Sequence, residues 1–400
     1  MSDTLVPGGG DSSADGTLDV EPAGGSGATT PDQATSTRSG AGPLTTEEEA
    51  LRDACTRFLV GHGPGTAASF LATIDPATEI DRYGAGGVVA QLEAEVATIL
   101  GKPAALFLPS GVMAQQATLR VHADRRARRT FVAHPACHLD RWEGRGYERL
   151  HGLSFQPAGD LRRGLTAADL DAVAEAPAAL LIELPQRDIG GWLPRWEDLE
   201  AQTAWARDRG AATHLDGARL WEAAAGYGRT PAEVAALFDT VYVSFYKGIG
   251  AISGCCVAGP ADVVGEVSDW RKRHGGTVFG LWPYAASCLA CLRERLPRMA
   301  DYHRHAVAIG EVLRELPGAE LVPDPPHTSH LHIHLRRDAE ELGAAARRLA
   351  RDRQIWTVAR WSASDTPSVQ IIELPVGDAT LALSAEEVGD VFRYLLTDEG

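Results

Sequence analysis

The stretch Thr240-Val-Tyr-Val-Ser-Phe-Tyr-Lys-Gly-Ile-Gly250 decides the fold. Four of its first five residues are β-formers and three are apolar, which reads as a buried strand. Gly248-Ile-Gly250 reads as a turn that leaves the Lys247 amine facing a cavity. A strand buried on both faces belongs in a parallel sheet with helices on either side. Five further apolar runs support that reading: Ala104–Leu108, Thr130–Ala133, Ala178–Glu183, Ala211–Asp216 and Gly254–Ala258, with helical stretches between them. The alternation between residues 87 and 300 predicts an α/β fold with a mostly parallel sheet flanked by helices.

From about residue 301 the pattern changes. A long helix, strands at His330–Leu335 and Val369–Glu373, and helices at Ala339–Arg353 and Ser384–Leu396 predict a smaller α+β C-terminal domain. The expected division is thus 46–300 for a large domain and 301–400 for a small one. Thr45 followed by Glu47, Glu48 and Glu49 is a capping signature for a helix running to about Gly61. Residues 1–45 are rich in Gly, Ser, Thr, Pro and Asp and lack an apolar h-region. They read as a disordered tail and not as a signal peptide.

Composition limits the partners. A chain of 400 residues that is 44% apolar can bury a sizeable core, and a net charge of −16 disfavours nucleic acid and anionic membranes. No apolar run is long enough for a membrane span. Six cysteines without disulfide-scaffold density fit a reducing cytoplasm, and the pair Cys288 and Cys291 reads as helix packing.

Two segments carry chemistry. His214-Leu-Asp-Gly-Ala-Arg219 puts Asp216 at a strand end, as the first stretch does Lys247. Pro109-Ser110-Gly111-Val112 is a small-residue turn into a helix, where free N–H groups and the helix dipole favour an anion. Singly, each has a plain structural reading: a routine cap, or a carboxylate beside Arg219. Together they supply an amine for an aldehyde, an acid for a ring nitrogen and a cradle for a phosphate. That set suits pyridoxal 5′-phosphate (PLP). A carboxylate about 4 Å from a pyridinium stabilises it by about 4 kcal/mol at an effective dielectric near 20, which keeps the ring an electron sink. His138, on a loop after Thr130–Ala133, is placed to stack on that ring and relay protons. His330, His332 and His334 alternate on one strand face; with no fourth ligand or carboxylate evident, no metal is expected.

The order Tyr83-Gly84, Gly101-Lys102 through Ser110-Gly111, His138 with Glu143, Gly190-Gly191, His214 to Leu220, Lys247 to Gly250 and Arg271-Lys272 resembles the L-threonine aldolase and β-eliminating lyase family. The resemblance implies the fold type I of PLP-dependent transferases and a homodimer or homotetramer with shared sites. It implies that Ser110, Gly111 and Val112 hold phosphate, His138 stacks on the ring, Asp216 pairs its nitrogen and Lys247 bonds the aldehyde. Arg219 would meet a substrate carboxylate, and Lys272 would reach a neighbouring protomer's site.

Departures fall on the substrate side. Glu183-Leu-Pro-Gln186 stands where the family has Glu-Asn-Thr-His, Tyr246 replaces a small residue before the lysine, and Gly275-Gly-Thr-Val-Phe279 lacks the family's arginine. Gln370 aligns with a carboxylate-gripping arginine, with Arg360 a candidate substitute. Trp361, Phe279 and Trp282 read either as pocket aromatics or as core packing. The expected activity is cleavage of Cα–Cβ in a β-hydroxy-α-amino acid to glycine and an aldehyde. The alternative is β-elimination or racemisation, and the remote one a noncatalytic interaction protein on the same fold.

Overall fold

The computed structural model describes residues 44–357, 361–364, 366 and 368–397. The expected tail lies, but for its last two residues, outside the described residues. The Thr45 capping box forms as its sequence predicts, with the Thr45 side chain accepting from Glu48 N–H at 3.2 Å. The helix it opens stops at Ala54, however, well short of Gly61. Cys55 turns extended, and β1 (Arg57–Phe58) pairs in parallel with a strand near the other end of the chain, Ile355–Trp356. A long-range partner thus overrides local helical pattern.

The main sheet comprises β2 (Ala104–Leu108), β3 (Thr130–Ala133), β4 (Ser154–Pro157), β5 (Ala179–Glu183), β6 (Ala212–Gly217), β7 (Thr240–Ser244) and β8 (Cys255–Gly259). Their spatial order is β2-β8-β7-β6-β5-β3-β4, and β8 alone runs against the others. Strands β5 to β8 are buried at every residue, which is why they read as unbroken apolar runs. Ser154-Phe-Gln-Pro157, at the open edge, is half exposed and carries no such run.

The helix that follows the small-residue turn runs from Gly111 to Arg126, and its covered face carries polar residues that pair internally. His122 meets Thr240 Oγ1 at 2.8 Å, and Gln115 Oε1 lies 2.7 Å from His214 Nε2. With helix Ala261–Arg273 it packs on β2, β7 and β8 through Leu106, Leu108, Val121, Val257, Val264 and Val267. Helices Gly87–Leu100 and Trp282–Arg295 cover the opposite face, where Cys288 and Cys291 are buried.

The second sheet is antiparallel, with β9 (Ala319–Val322), β10 (His330–Leu335), β12 (Ser362–Ala363) and β13 (Gln370–Pro375) in the order β12-β13-β10-β9; the Ile355–Trp356 strand is β11. Leu331, Ile333 and Leu335 of β10, with Ile372 and Leu374 of β13, point into the core beneath helices Met299–Arg314, Ala339–Arg353 and Ala385–Thr397. Strand alternation therefore turns His330, His332, His334, Ile371 and Glu373 to the other face.

Candidate active site

Because the strands from β2 to β7 run parallel, their carboxyl ends open along one edge of the sheet, where ligands of open α/β sheets bind. Ser110 and Gly111 follow β2, His138 follows β3, Glu183 ends β5 and Gln186 follows it. Asp216 lies one residue from the end of β6, Arg219 follows it, and Lys247 comes three residues after β7. One topological feature gathers residues scattered over 138 positions of sequence, from Ser110 to Lys247.

Asp216 is buried, and its Oδ1 accepts from Ala218 N–H at 3.1 Å. Burial holds its carboxyl above the usual range, against the pull of the nearby Lys247 amine. Burial also pushes the Lys247 amine down, helped by the Arg219 guanidinium and opposed by Asp216 and Glu183. Glu183, in register with Asp216, is raised to about 7 by burial and by that neighbouring carboxylate. Glu183 is an addition to the residues expected at the site, and the signal for it in the sequence is an acid ending an otherwise apolar strand.

His138 opens the short helix His138–Arg141 and sets its Nδ1 3.0 Å from Glu143 Oε1. Burial alone would lower its pKa, but Glu143, Asp216 and Glu183 outweigh this and hold it above the ordinary value. Gln186 donates to Ala136 O at 3.1 Å and to Glu183 Oε2 at 2.8 Å, so it fastens the β5 loop to the loop carrying His138.

At the anion end, Ser110 is the extended N-cap of a 16-residue helix, and its side chain makes no capping bond. Val112 is 41% exposed, which leaves the first turn open. A Cβ on Gly111 would lie 2.2 Å from Tyr242 Oη, so only glycine lets the turn approach β7 so closely. Ser244, three residues before Lys247, has a buried Oγ without a hydrogen-bond partner.

A cleft of about 940 Å³ lies over the polar face of the second sheet, lined among others by Trp142, Arg187, Asp188, His332, Ile371 and Glu373. Lys247, Asp216 and His138 do not line it; Arg187, whose charge is felt at Lys247, borders both. Arg187 donates to both oxygens of Glu373, at 3.0 and 2.6 Å, and to Asp188 at 3.0 Å. Burial pushes His330 down to about 3 and His332 to about 4.

The structure corrects some of the other expectations and narrows the rest. Gln370 pairs with Leu335 and sits on the core-facing side of β13, so the residues that β13 offers to the cleft are Ile371 and Glu373. Arg360 lies outside the described residues. Trp282 and Trp361 pack on the core, and Phe279 stands 65% exposed against Tyr83; Trp142 is the aromatic at the cleft. Lys272 is exposed on helix Ala261–Arg273 and joins none of these groups within one chain. A carboxylate does stand beside the strand histidines, because Glu373 pairs with His332 across β10 and β13.

Residues 65–337 match the family described as β-eliminating lyase. The chain belongs to that family. Over 88% of its length it superposes on 99% of a Listeria monocytogenes EGD-E crystal structure provisionally designated an L-allo-threonine aldolase, with 36% identity and a TM-score of 0.82. A structure from Exiguobacterium sp. 255-15, provisionally an aromatic amino acid β-eliminating lyase/threonine aldolase, covers 87% of this chain and is itself 99% covered, with 34% identity and the same TM-score of 0.82. The low specificity L-threonine aldolase of Escherichia coli K12 is 29% identical over 248 residues, 60% of this chain and 73% of that protein.

The cofactor of this lyase family is PLP, and the residues present fit it. The open first turn after Ser110 and the orphaned Ser244 Oγ offer donors to a phosphate, Asp216 a buried carboxylate to a ring nitrogen, and Lys247 an amine of lowered basicity to an aldehyde.

Proposed function

We propose that this chain is a PLP-dependent carbon–carbon lyase that cleaves a β-hydroxy-α-amino acid between Cα and Cβ, giving glycine and an aldehyde. The observation that carries the reading is the convergence of Lys247, Asp216 and a His138–Glu143 pair on one sheet edge. When bound, PLP supplies the electron sink for the pair released at Cα. Asp216 would keep its ring nitrogen protonated, while Ser110, Gly111, Val112 and Ser244 would hold the phosphate. The Arg219 side chain makes no hydrogen bond or ion pair among the described residues, and it is the group that receives the substrate carboxylate.

His138 takes the proton from the substrate β-hydroxyl. Glu143 accepts the Nδ1 hydrogen, so that the lone pair sits on Nε2, and it stabilises the imidazolium that forms. Lys247, whose ammonium is made more acidic by burial, would return a proton to Cα once the aldehyde has left. Gln186 cannot serve as a second base; it positions the His138 loop and Glu183.

We further propose a cytoplasmic homo-oligomer, dimer or tetramer, with a small amino acid as ligand. Val112 and Tyr246 are large apolar residues left exposed beside the phosphate turn and beside Lys247, where a second copy would cover them and bring in its own Lys272. All six cysteines are buried free thiols, in keeping with a reducing compartment. Residues 46–300 and 301–400 would act as its two lobes.

The test incubates purified holoenzyme with L-threonine, L-allo-threonine and a β-aryl serine, assaying glycine and aldehyde. Formation of both supports the reading. Ammonia and a keto acid, or the other enantiomer alone, would replace it with elimination or racemisation.

A further inference from the structure

We propose that His330, His332 and Glu373 bind a divalent transition-metal ion of the Zn²⁺ or Co²⁺ class at the wall of the cleft. One donor atom from each lies within 4.8 Å of the other two, the only such group among the described residues. Both histidines are buried, with relative exposures of 4% and 6%. His332 Nε2 has no hydrogen-bond partner although it is shut off from water. A buried ring nitrogen without a partner needs a reason, and an absent ion is one.

The backbone places the set with little freedom. His330 and His332 stand two apart on β10 and so share a face, while Glu373 is directly opposite His332 on β13. The His330 and His332 ring centroids are 5.5 Å apart, and His330 Nε2 is 3.1 Å from Glu373 Oε2. Two imidazoles and one carboxylate suit zinc or cobalt better than the oxygen-seeking magnesium or calcium. His332 and Glu373 line the cleft, so the remaining coordination position opens toward it. That position takes water or an oxygen of a molecule held in the cleft.

Arg187 is the competitor. It binds both Glu373 oxygens, and the ion must displace it from at least one. Arg187 already donates to Asp188, so it has a second carboxylate to retain when it lets go. The guanidinium and the ion are alternative cations on one carboxylate, and removing the guanidinium strengthens ion binding.

The experiment uses full-length PLP-loaded protein, dialysed first against chelator and then with equimolar Zn²⁺ or Co²⁺. Bound metal is measured by mass spectrometry, and Co²⁺ through its visible d–d absorption. The expected result is one ion per chain, lost in His332→Ala and at least tenfold weaker in the isosteric Glu373→Gln. Arg187→Gln should bind at least tenfold more tightly than the parent. Circular dichroism and the PLP spectrum check each variant's fold, and Glu373→Gln and Arg187→Gln keep the test decisive if His332→Ala fails to fold. No bound metal in either the parent or Arg187→Gln would overturn the proposal, as would equal binding by parent and Glu373→Gln. Metal content is read without turnover, so it stands or falls apart from the lyase reaction.

Discussion

Glu183 and Asp216 are in register on adjacent parallel strands, both buried, and the Asp216 carboxylate raises the affinity of Glu183 for a proton. The two carboxyls cannot both ionise at low cost in this setting. For Glu183 the folded state holds its proton up to about pH 7, whereas the unfolded chain releases it near 4.5. Its contribution to stability is therefore complete below 4.5 and is lost as pH rises through about 7. In the cofactor-free protein Glu183 should contribute a loss on the order of 3 kcal/mol across that window, at about 1.4 kcal/mol per pH unit, set against the opposite contribution of buried histidines such as His330 and His332, whose pKa burial lowers. Urea melts of the parent and Glu183→Gln at pH 5 and pH 7.5 measure it, and the change on raising the pH should be more favourable in the variant by about that amount. An unchanged difference in that variant would assign it to other groups.

Asp216→Asn keeps an acceptor for the Ala218 N–H but removes the charge. PLP should remain bound, turnover should fall by roughly 10²-fold or more, and Glu183 should then release its proton at lower pH, narrowing the window just described. Steady-state kinetics and the same melts read both effects. Near-normal turnover would be incompatible with an acid partner for the ring nitrogen at this position.

Strand positions in the main sheet were legible because burial on both faces writes itself as an apolar run, and Lys247, Asp216 and His138 were legible because chemistry-bearing side chains stood at the ends of those runs. Relations between strands were not. The pairing of Glu183 with Asp216, or Glu373 with His332, depends on register, which apolar period alone leaves open. Gln370 shows the cost: alignment with a family arginine put it at the substrate, while a shift of one residue along β13 decides which face meets the cleft. The end of the first helix failed for a similar reason, since Arg57 and Phe58 take their structure from Ile355 and Trp356.

Lys247→Ala should abolish the covalent link to PLP and cut turnover by roughly 10³-fold, without lowering the melting temperature of the cofactor-free protein. The amine is buried at a desolvation cost, so its removal relieves a penalty. Borohydride reduction and peptide mapping of the parent should place the label on Lys247. A label on Lys102 or Lys272 would move the site.

Glu143→Gln should shift the acid limb of the pH–rate profile to lower pH. Glu143 is the hydrogen-bonded partner that, with Asp216 and Glu183, holds His138 above its ordinary value against the effect of burial. A base must be neutral to accept a proton, so lowering its pKa extends activity downward in pH while the maximal rate falls. An unmoved limb would mean that another group titrates there.

Gly111→Ala tests the phosphate turn through packing. The added Cβ would meet Tyr242 Oη at 2.2 Å and Cζ at 2.9 Å, contacts that the buried tyrosine cannot yield by a small rotation. Overpacking of this kind typically costs about 1–3 kcal/mol, and here it also displaces the first amides of the helix from the phosphate. The variant should melt earlier and bind PLP more weakly, by tenfold or more. Tyr242→Phe removes the nearer atom, so the double variant should recover part of both losses while Tyr242→Phe alone changes PLP affinity little. Thermal melts and PLP titration of the four proteins form a double-mutant cycle. Strictly additive losses would show that Tyr242 does not press on the turn, and that the need for glycine at position 111 has another origin.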